Sequence, residues 1–414
     1  MDTLCINGGK PLQGILPGQV SKNAFIPILA ASMLCEEEVC LQNAPDILDV
    51  DTYQKIMRSI GISTRKQDNH LFVKADTVKT WKVPPEFDKS ARGIVLMLGT
   101  IGARLGRVEL PYPGGCKIGD RKLDAHLEVM KGMGFDVTFT QDAIIASQTS
   151  RGVTDIPLSF PSVSATLLGL MIASRRTGKT VLSNTAREPE IVDLANFLTS
   201  LGATIRGAGS SIITINGTDE MKGIAYEVIP DRIVSGTYLV ASALVGEGLR
   251  VTKLRLDHLD EVIAQCKRAA IEIHQEGKYV EARCRTIRPV TITTAVYPGF
   301  PTDLQPIFTT LATLAHGTST IRESLYNNRF AHVSELEKMG AHITIHGDTL
   351  SIQGVERLHG AEVRANDLRA GAALVLAGLA AKGTTKIRNI SQVDRGYDHL
   401  DAKLKAIGAD IWRE

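Results

Sequence analysis

The chain has 414 residues, 43% of them hydrophobic and 22% charged, with a formal net charge of +2; this is more chain than one hydrophobic core ordinarily serves, so two domains are expected. The near-neutral charge and an aromatic content of only 5% argue against a nucleic-acid partner, which needs a basic field and stacking platforms. No apolar run approaches the ~18 residues of a membrane span, Met1–Cys5 lacks the basic and apolar regions of a signal peptide, and the six cysteines (Cys5, Cys35, Cys40, Cys116, Cys266, Cys284) have neither Cys-x-x-Cys nor zinc spacing, so the expectation is a soluble cytoplasmic protein with reduced thiols, no metal and no cofactor.

Six times along the chain a short helical run ends in a turn and passes into a strand. The turns close at Gly61, Gly134, Gly202, Ala270, Gly340 and Gly408, separated by 73, 68, 68, 70 and 68 residues. A second marker runs out of phase with the first. In it a helix of small apolar residues, such as Leu167–Ala173 or Ala372–Gly378, ends in a glycine turn that leads into a β-branched strand. Its glycines are Gly106, Gly178, Gly248, Gly317 and Gly383; the first copy has Glu37-Glu38 instead. One helix per repeat is therefore apolar nearly all round, which predicts burial, and the other is amphipathic. The fold expected is α/β, in two pseudo-symmetric lobes of three repeats each, with buried helices inside and sheets outside.

Four segments in chain order exceed what the repeat needs. Ser21-Lys22-Asn23 opens the first buried helix, where Ser21 suits an N-cap and Lys22 would add a point charge to an anion-favouring helix start. Pro111–Arg121 holds two prolines, three glycines and Cys116, flanked by Lys117 and Arg121; regular structure is precluded, and the neighbouring cations should make the thiol reactive. Tyr297–Gln305 places Asp303 in the first turn of a helix beginning at Pro301-Thr302. Finally, Arg92, Arg329, Arg369 and Arg395 recur near repeat junctions, as a convergent anion site requires. By contrast, Thr177-Gly178-Lys179-Thr180 occupies an ordinary repeat turn, with Ala173 where a P-loop has its first glycine. The acidic run Glu36–Glu38 reads as a solvated turn, and His126 and His332 as structural imidazoles.

Taken with Pro113-Gly114-Gly115-Cys116, Ala186–Asp193, Pro230-Asp231-Arg232-Ile233, Phe300–Asp303, Asn328-Arg329-Phe330, Asp367–Ala370 and Asp394–Tyr397, these segments resemble the UDP-N-acetylglucosamine enolpyruvyl transferases, in family order over the full length. The resemblance implies an inside-out α/β fold with residues 1–21 plus 230–414 in one lobe and 22–229, carrying the Cys116 loop, in the other, the two closing over the substrates. It implies transfer of the enolpyruvyl group of phosphoenolpyruvate to a sugar hydroxyl with release of phosphate. Asp303 would take the hydroxyl proton, Cys116 would act as acid, and Lys22 and Arg395 would complete the catalytic set. Lys22, Asn23, Arg92, Arg121, Arg329, Arg369 and Arg395 would hold phosphoenolpyruvate. Asn23, Arg92, Arg121, Asp124, Ser162, Val163, Ser164, Asp303 and Leu325 would hold the acceptor. The family's cysteine is also the target of the epoxide fosfomycin.

The departures gather on the acceptor side. Arg121-Lys122-Leu123-Asp124 stands where the family has Arg-Pro-Val/Ile-Asp. Phe160 replaces a lysine ahead of Ser162-Val163, Ser164 replaces a glycine, Val234 a glutamate, and Asn327 another glutamate. A paralogue using a different nucleotide or sugar acceptor is therefore the second expectation. A catalytically silent ligand-binding relative is the third, opposed by the joint presence of Lys22, Cys116, Asp303 and Arg395.

Overall fold

The computed structural model describes residues 2–87, 92–112, 123–150, 152–327 and 329–414. Contacts divide them into two compact units, one of residues up to Gln19 with Pro230–Glu414, the other of the described residues between Val20 and Ile229.

In the second of these, the helices Lys22–Ala31, Met97–Leu105 and Val163–Ser174 form the centre. Every side chain from Ala24 to Ala31 and from Ala165 to Ser174 is buried, as the all-round apolar pattern predicts. Around them stand sheets built on one plan. A hairpin such as Ser63–Gln67/His70–Lys74 pairs antiparallel with a strand, here Val39–Gln42, whose other edge takes a parallel strand, Ala225–Glu227. That parallel strand always comes from the preceding repeat. Asp155–Pro157, which follows the second repeat, joins Gly178–Ser183 of the third. Ala225–Glu227, which follows the third, returns to the first. In the second repeat a single parallel bridge, Lys82 to Glu109, stands where the others have a strand. The three repeats thus close in a cycle. Phe25, Phe135 and Phe197 fill its core.

The Pro230–Glu414 unit repeats the plan around the helices Arg232–Val245, Gln305–Thr313 and Leu368–Ala380. The parallel partners are Leu12–Pro17 on Gly246–Thr252, Thr291–Thr293 on Thr318–Arg322, and Glu362–Arg364 on Thr384–Arg388. Its last sheet is completed by Thr3–Asn7, which lies antiparallel between Thr384–Arg388 and Asp410–Arg413. The expected α/β architecture of buried helices and outer sheets is present in both units.

The periodic turns have a backbone cause. Gly61, Gly134, Gly202, Gly340 and Gly408 all have positive φ, and so has Ala270 in the fourth copy, at 62°. A left-handed conformation costs a residue with a Cβ about 1–2 kcal/mol, and glycine nothing. Ala270→Gly is therefore expected to stabilise the protein by about 0.5–1 kcal/mol, read as a higher denaturant midpoint at unchanged slope.

Within each unit the central helices begin together. In the Pro230–Glu414 unit, Gly236 packs so closely on Leu304 that an added Cβ would meet its Cδ1 at 2.6 Å. Further along the same helices, Thr310 Oγ1 donates to Ala373 O at 3.2 Å. In the other unit, Gly93 lies against Ile26, and Tyr53 Oη donates to Gly93 O at 3.1 Å. The far ends there meet cations. Arg104 donates to Met33 O at 3.0 Å and pairs with Glu36 at 3.2 Å, and Glu36 also faces Arg175 at 3.7 Å. Positive side chains at helix C-termini complement the helix dipole. The acidic turn at Glu36 is exposed, as expected, but it also serves this tie.

Candidate functional site

Where central helices begin, their amides and dipoles favour anions, and of the sequence-predicted residues Lys22, Asn23, Ser162, Val163, Ser164, Asp303 and Arg369 stand at those ends. In the Pro230–Glu414 unit, Asp231 accepts from the amides of Ile233 (2.8 Å) and Val234 (2.9 Å), and Asp367 from those of Arg369 (2.8 Å) and Ala370 (3.0 Å). Both are N-caps, which explains the aspartates of Asp231-Arg232 and Asp367-Leu368-Arg369. The third start differs: Thr302–Leu304 is a 3₁₀ turn feeding Gln305–Thr313, and Asp303 is left pointing at other partners.

Two of those partners are arginines. Arg329 Nη2 donates to Asp303 Oδ1 at 2.7 Å, while Arg369 Nη2 and Nε donate to Oδ2 at 3.0 and 3.2 Å. Each arginine is only 4% exposed. Burial pulls the Arg369 pKa down, but Asp303, Tyr397 and Asp231 outweigh it, and the net direction is upward. The Tyr397 ring lies 5.7 Å below the Arg369 guanidinium, and its hydroxyl is 2.9 Å from Thr237 Oγ1. Two guanidinium nitrogens, Arg329 Nε and Arg369 Nη1, are buried with no hydrogen-bond partner among the described residues. Buried donors are almost always satisfied, so these two nitrogens can take a further acceptor.

Arg395 ends the short helix Ser391–Asp394, with Nη1 3.4 Å from Gln392 Oε1. The turn after it is fixed by the buried amide of Gln19, which donates to Gly396 O at 2.8 Å and accepts from Asp398 N at 3.0 Å. Leu325 is half-buried, its amide donating to Glu323 Oε1 at 2.9 Å.

His332 is buried beside Arg329 and Asp367, with neither ring nitrogen hydrogen-bonded among the described residues. Burial holds its pKa down to about 4; Asp367 opposes the shift and Arg329 adds to it. A folded-state pKa below the unfolded value means that the unfolded chain takes up the proton first. Stability is then full above about pH 6.5 and falls as pH drops toward 4. His332→Gln is expected to remove about 2 kcal/mol of the stability difference between pH 7 and pH 5, measured by urea unfolding of both proteins at each pH.

In the other unit, Ser21 caps the first helix by accepting from Ala24 N at 3.3 Å. Lys22 Nζ pairs with Asp49 Oδ2 at 2.9 Å, and both side chains are largely buried. Asn23 follows, partly exposed. Ser162 caps Val163–Ser174, and Ser164 Oγ lies 2.8 Å from Nε2 of buried His126. Ser159 N donates to Glu128 Oε2 at 3.0 Å. These two bonds fasten the helix Asp124–Gly132 to the segment Ser159–Ser164, so the expected acceptor residues Asp124, Ser162, Val163 and Ser164 fall in one neighbourhood. Phe160 is 51% exposed beside them. Cys116 and Arg121 lie outside the described residues, as does the Arg92 side chain.

Sequence reasoning missed Asp49, Glu323, Gln19 and Tyr397 as supports. Asp49 sits in an amphipathic helix with an ordinary acidic first turn, and nothing in its spacing marks it. The N-caps were legible in principle, since each aspartate directly precedes an apolar helix.

Cyclic sets of three repeats around buried helices, with an arginine-clamped aspartate at a helix start, define a class, and comparison with known proteins gives the same one. The family model described as EPSP synthase (3-phosphoshikimate 1-carboxyvinyltransferase) matches residues 6–404. The chain is 43% identical to UDP-N-acetylglucosamine 1-carboxyvinyltransferase 1 of Caldanaerobacter subterraneus, over 98% of this chain and 97% of that one. It is 42% identical to the UDP-N-acetylglucosamine 1-carboxyvinyltransferase of Desulfovibrio desulfuricans, over the whole of both. Among solved structures, the enolpyruvyl transferase NikO from Streptomyces tendae superposes with a TM-score of 0.90 at 27% identity, covering 99% and 98% of the two chains. EPSP synthase from Acinetobacter baumannii shares the fold, with a TM-score of 0.72 at 15% identity over the whole of both chains. The chain belongs to the enolpyruvyl (carboxyvinyl) transferase family, and within it to the group of the UDP-N-acetylglucosamine 1-carboxyvinyltransferases.

Proposed function

We propose that the chain transfers the enolpyruvyl group of phosphoenolpyruvate to the 3-hydroxyl of UDP-N-acetylglucosamine, with release of phosphate, the first committed step of peptidoglycan synthesis. The observation that carries this reading is the Asp303–Arg329–Arg369 cluster with its two unpaired guanidinium donors; the names of the full-length relatives support it. In the reaction the acceptor oxygen bonds to C2 of phosphoenolpyruvate while C3 gains a proton. Loss of phosphate and of a proton from C3 then restores the double bond. Asp303 receives the hydroxyl proton and Cys116 supplies the one to C3. Lys22, Arg92, Arg121, Arg329, Arg369 and Arg395 neutralise the donor's charge, and Asn23, Asp124, Ser162, Val163, Ser164 and Leu325 seat the acceptor. The work is done in the cytoplasm and serves cell-wall growth, cell shape and division. Fosfomycin is expected to alkylate Cys116, read as one adduct on its peptide by mass spectrometry in the presence of acceptor.

A second reading, transfer to a different nucleotide or sugar, is favoured by exposed Phe160 and by the Ser164–His126 bond on the acceptor side. Phosphate release from phosphoenolpyruvate with a panel of UDP-sugars, nucleotides and shikimate 3-phosphate separates the two. Turnover with UDP-N-acetylglucosamine alone is the expected result. Turnover only with another acceptor establishes the second reading, and none with any acceptor rejects both.

A further inference from the structure

Glu323 is 3% exposed and belongs to no catalytic set named above. Its carboxylate collects donors from three separate segments. Oε1 accepts from Thr294 Oγ1 (2.9 Å), Leu325 N (2.9 Å) and Tyr326 N (3.3 Å), and Oε2 from Thr302 Oγ1 (2.7 Å). Its backbone is pinned in turn, Glu323 N donating to Asp348 O at 2.8 Å. Thr294 is wholly buried at the end of the strand Thr291–Thr293; its hydroxyl also accepts from Ser324 N at 2.9 Å. Thr302 is the residue before Asp303. Leu325 and Tyr326 begin the stretch that leads to Arg329, the nearer of the two arginines on Asp303.

One carboxylate therefore sets where the Asp303 turn and the Leu325 segment stand relative to the sheet. A polar group buried this deeply is costly unless fully bonded, and four donors on two oxygens meet that requirement. A hub for packing alone would not need to reach the turn that carries the arginine-clamped Asp303.

Resting on the transferase reading above, we infer that Glu323 is a positioning residue for the reaction, holding Asp303 through Thr302 at the distance and angle at which it meets the acceptor hydroxyl. It touches no substrate. Geometry at a reacting centre is demanding, and a misplacement of about 1 Å can cost on the order of 10²-fold in rate.

The test compares steady-state kinetics and melting of wild type, Thr302→Val, Glu323→Ala and Glu323→Gln. T302V removes only the link to the Asp303 turn and keeps the side-chain shape, so it is the variant least exposed to misfolding. It is expected to lower kcat about tenfold with KM for both substrates little changed, and to lower the melting temperature by a few degrees because Glu323 Oε2 loses the Thr302 donor. E323A is expected to lower kcat about 10²-fold. E323Q keeps an oxygen for the three donors on Oε1, and its amide can donate to a turned Thr302 hydroxyl, so it is expected to recover most of the E323A loss. A wild-type kcat in T302V, or a fall in melting temperature with kcat per folded molecule unchanged in all three, overturns the inference and leaves the transferase reading standing. An inactive wild type overturns that reading and this inference with it.

Discussion

Asp303→Asn is expected to lower kcat by about 10³-fold, within the range over which a general base contributes. Both carboxylate oxygens of Asp303 are occupied, Oδ1 by Arg329 and Oδ2 by Arg369. An asparagine would set an NH2 group against one guanidinium and remove the charge that balances both. A carboxylate held between two cations is by itself a weak proton acceptor. In the proposed reaction a phosphoenolpyruvate anion takes up the unpaired Arg329 Nε and Arg369 Nη1 donors, and its charge then competes with Asp303 for the same guanidiniums. The aspartate thereby becomes a better base only once the donor is in place, so the cluster couples binding to proton transfer. Rapid-quench measurement of a single turnover checks the loss in the chemical step. A D303N enzyme with a wild-type rate would remove Asp303 from the mechanism.

Arg369 gives the second large effect. Arg369→Met takes one of the two guanidiniums off Asp303 and deletes a buried cation, a change of the kind that costs about 3–5 kcal/mol. Urea unfolding is expected to show that loss. Arg369→Lys keeps the charge but not the fork that reaches Asp303 through Nε and Nη2 together. It is expected to fold, and to lower kcat/KM for phosphoenolpyruvate by about 10–10²-fold. An R369K enzyme with unaltered kcat/KM would mean that the positive charge alone suffices and that the guanidinium fork neither binds phosphoenolpyruvate nor places Asp303.

Much of the fold was legible because it is repetitive. A turn residue every ~70 positions, glycine in five copies and Ala270 in the fourth, marks a left-handed turn, and the all-round apolar helices could only be buried. The cyclic exchange of parallel strands was not legible, since three-residue strands such as Glu362–Arg364 and Ala225–Glu227 carry too little pattern to be seen. For the site, the charged residues that stand at helix starts announced themselves: Lys22, Asp303, Arg369. Their supports did not. Asp49 reaches Lys22, and Glu323 reaches Thr302, across gaps in sequence that only tertiary structure closes, and Gln19 fixes the turn after Arg395 from the other end of the chain. A lone Gln, Asp or Glu without periodicity looks like surface.

The strand Thr3–Asn7 lies between Thr384–Arg388 and Asp410–Arg413, with Thr3 and Glu414 exchanging backbone hydrogen bonds. On the ribosome this imposes an order. The stretch from Val20 to Ile229 can complete its three-repeat cycle from contiguous sequence as it emerges. The strand Thr3–Asn7 must wait, with its edge amides uncovered, until Thr384–Arg388 and Asp410–Arg413 have been synthesised. Its residues Leu4, Cys5 and Ile6 are wholly apolar and buried in the finished sheet. Through most of translation they form an exposed, aggregation-prone edge of the kind that chaperones shield.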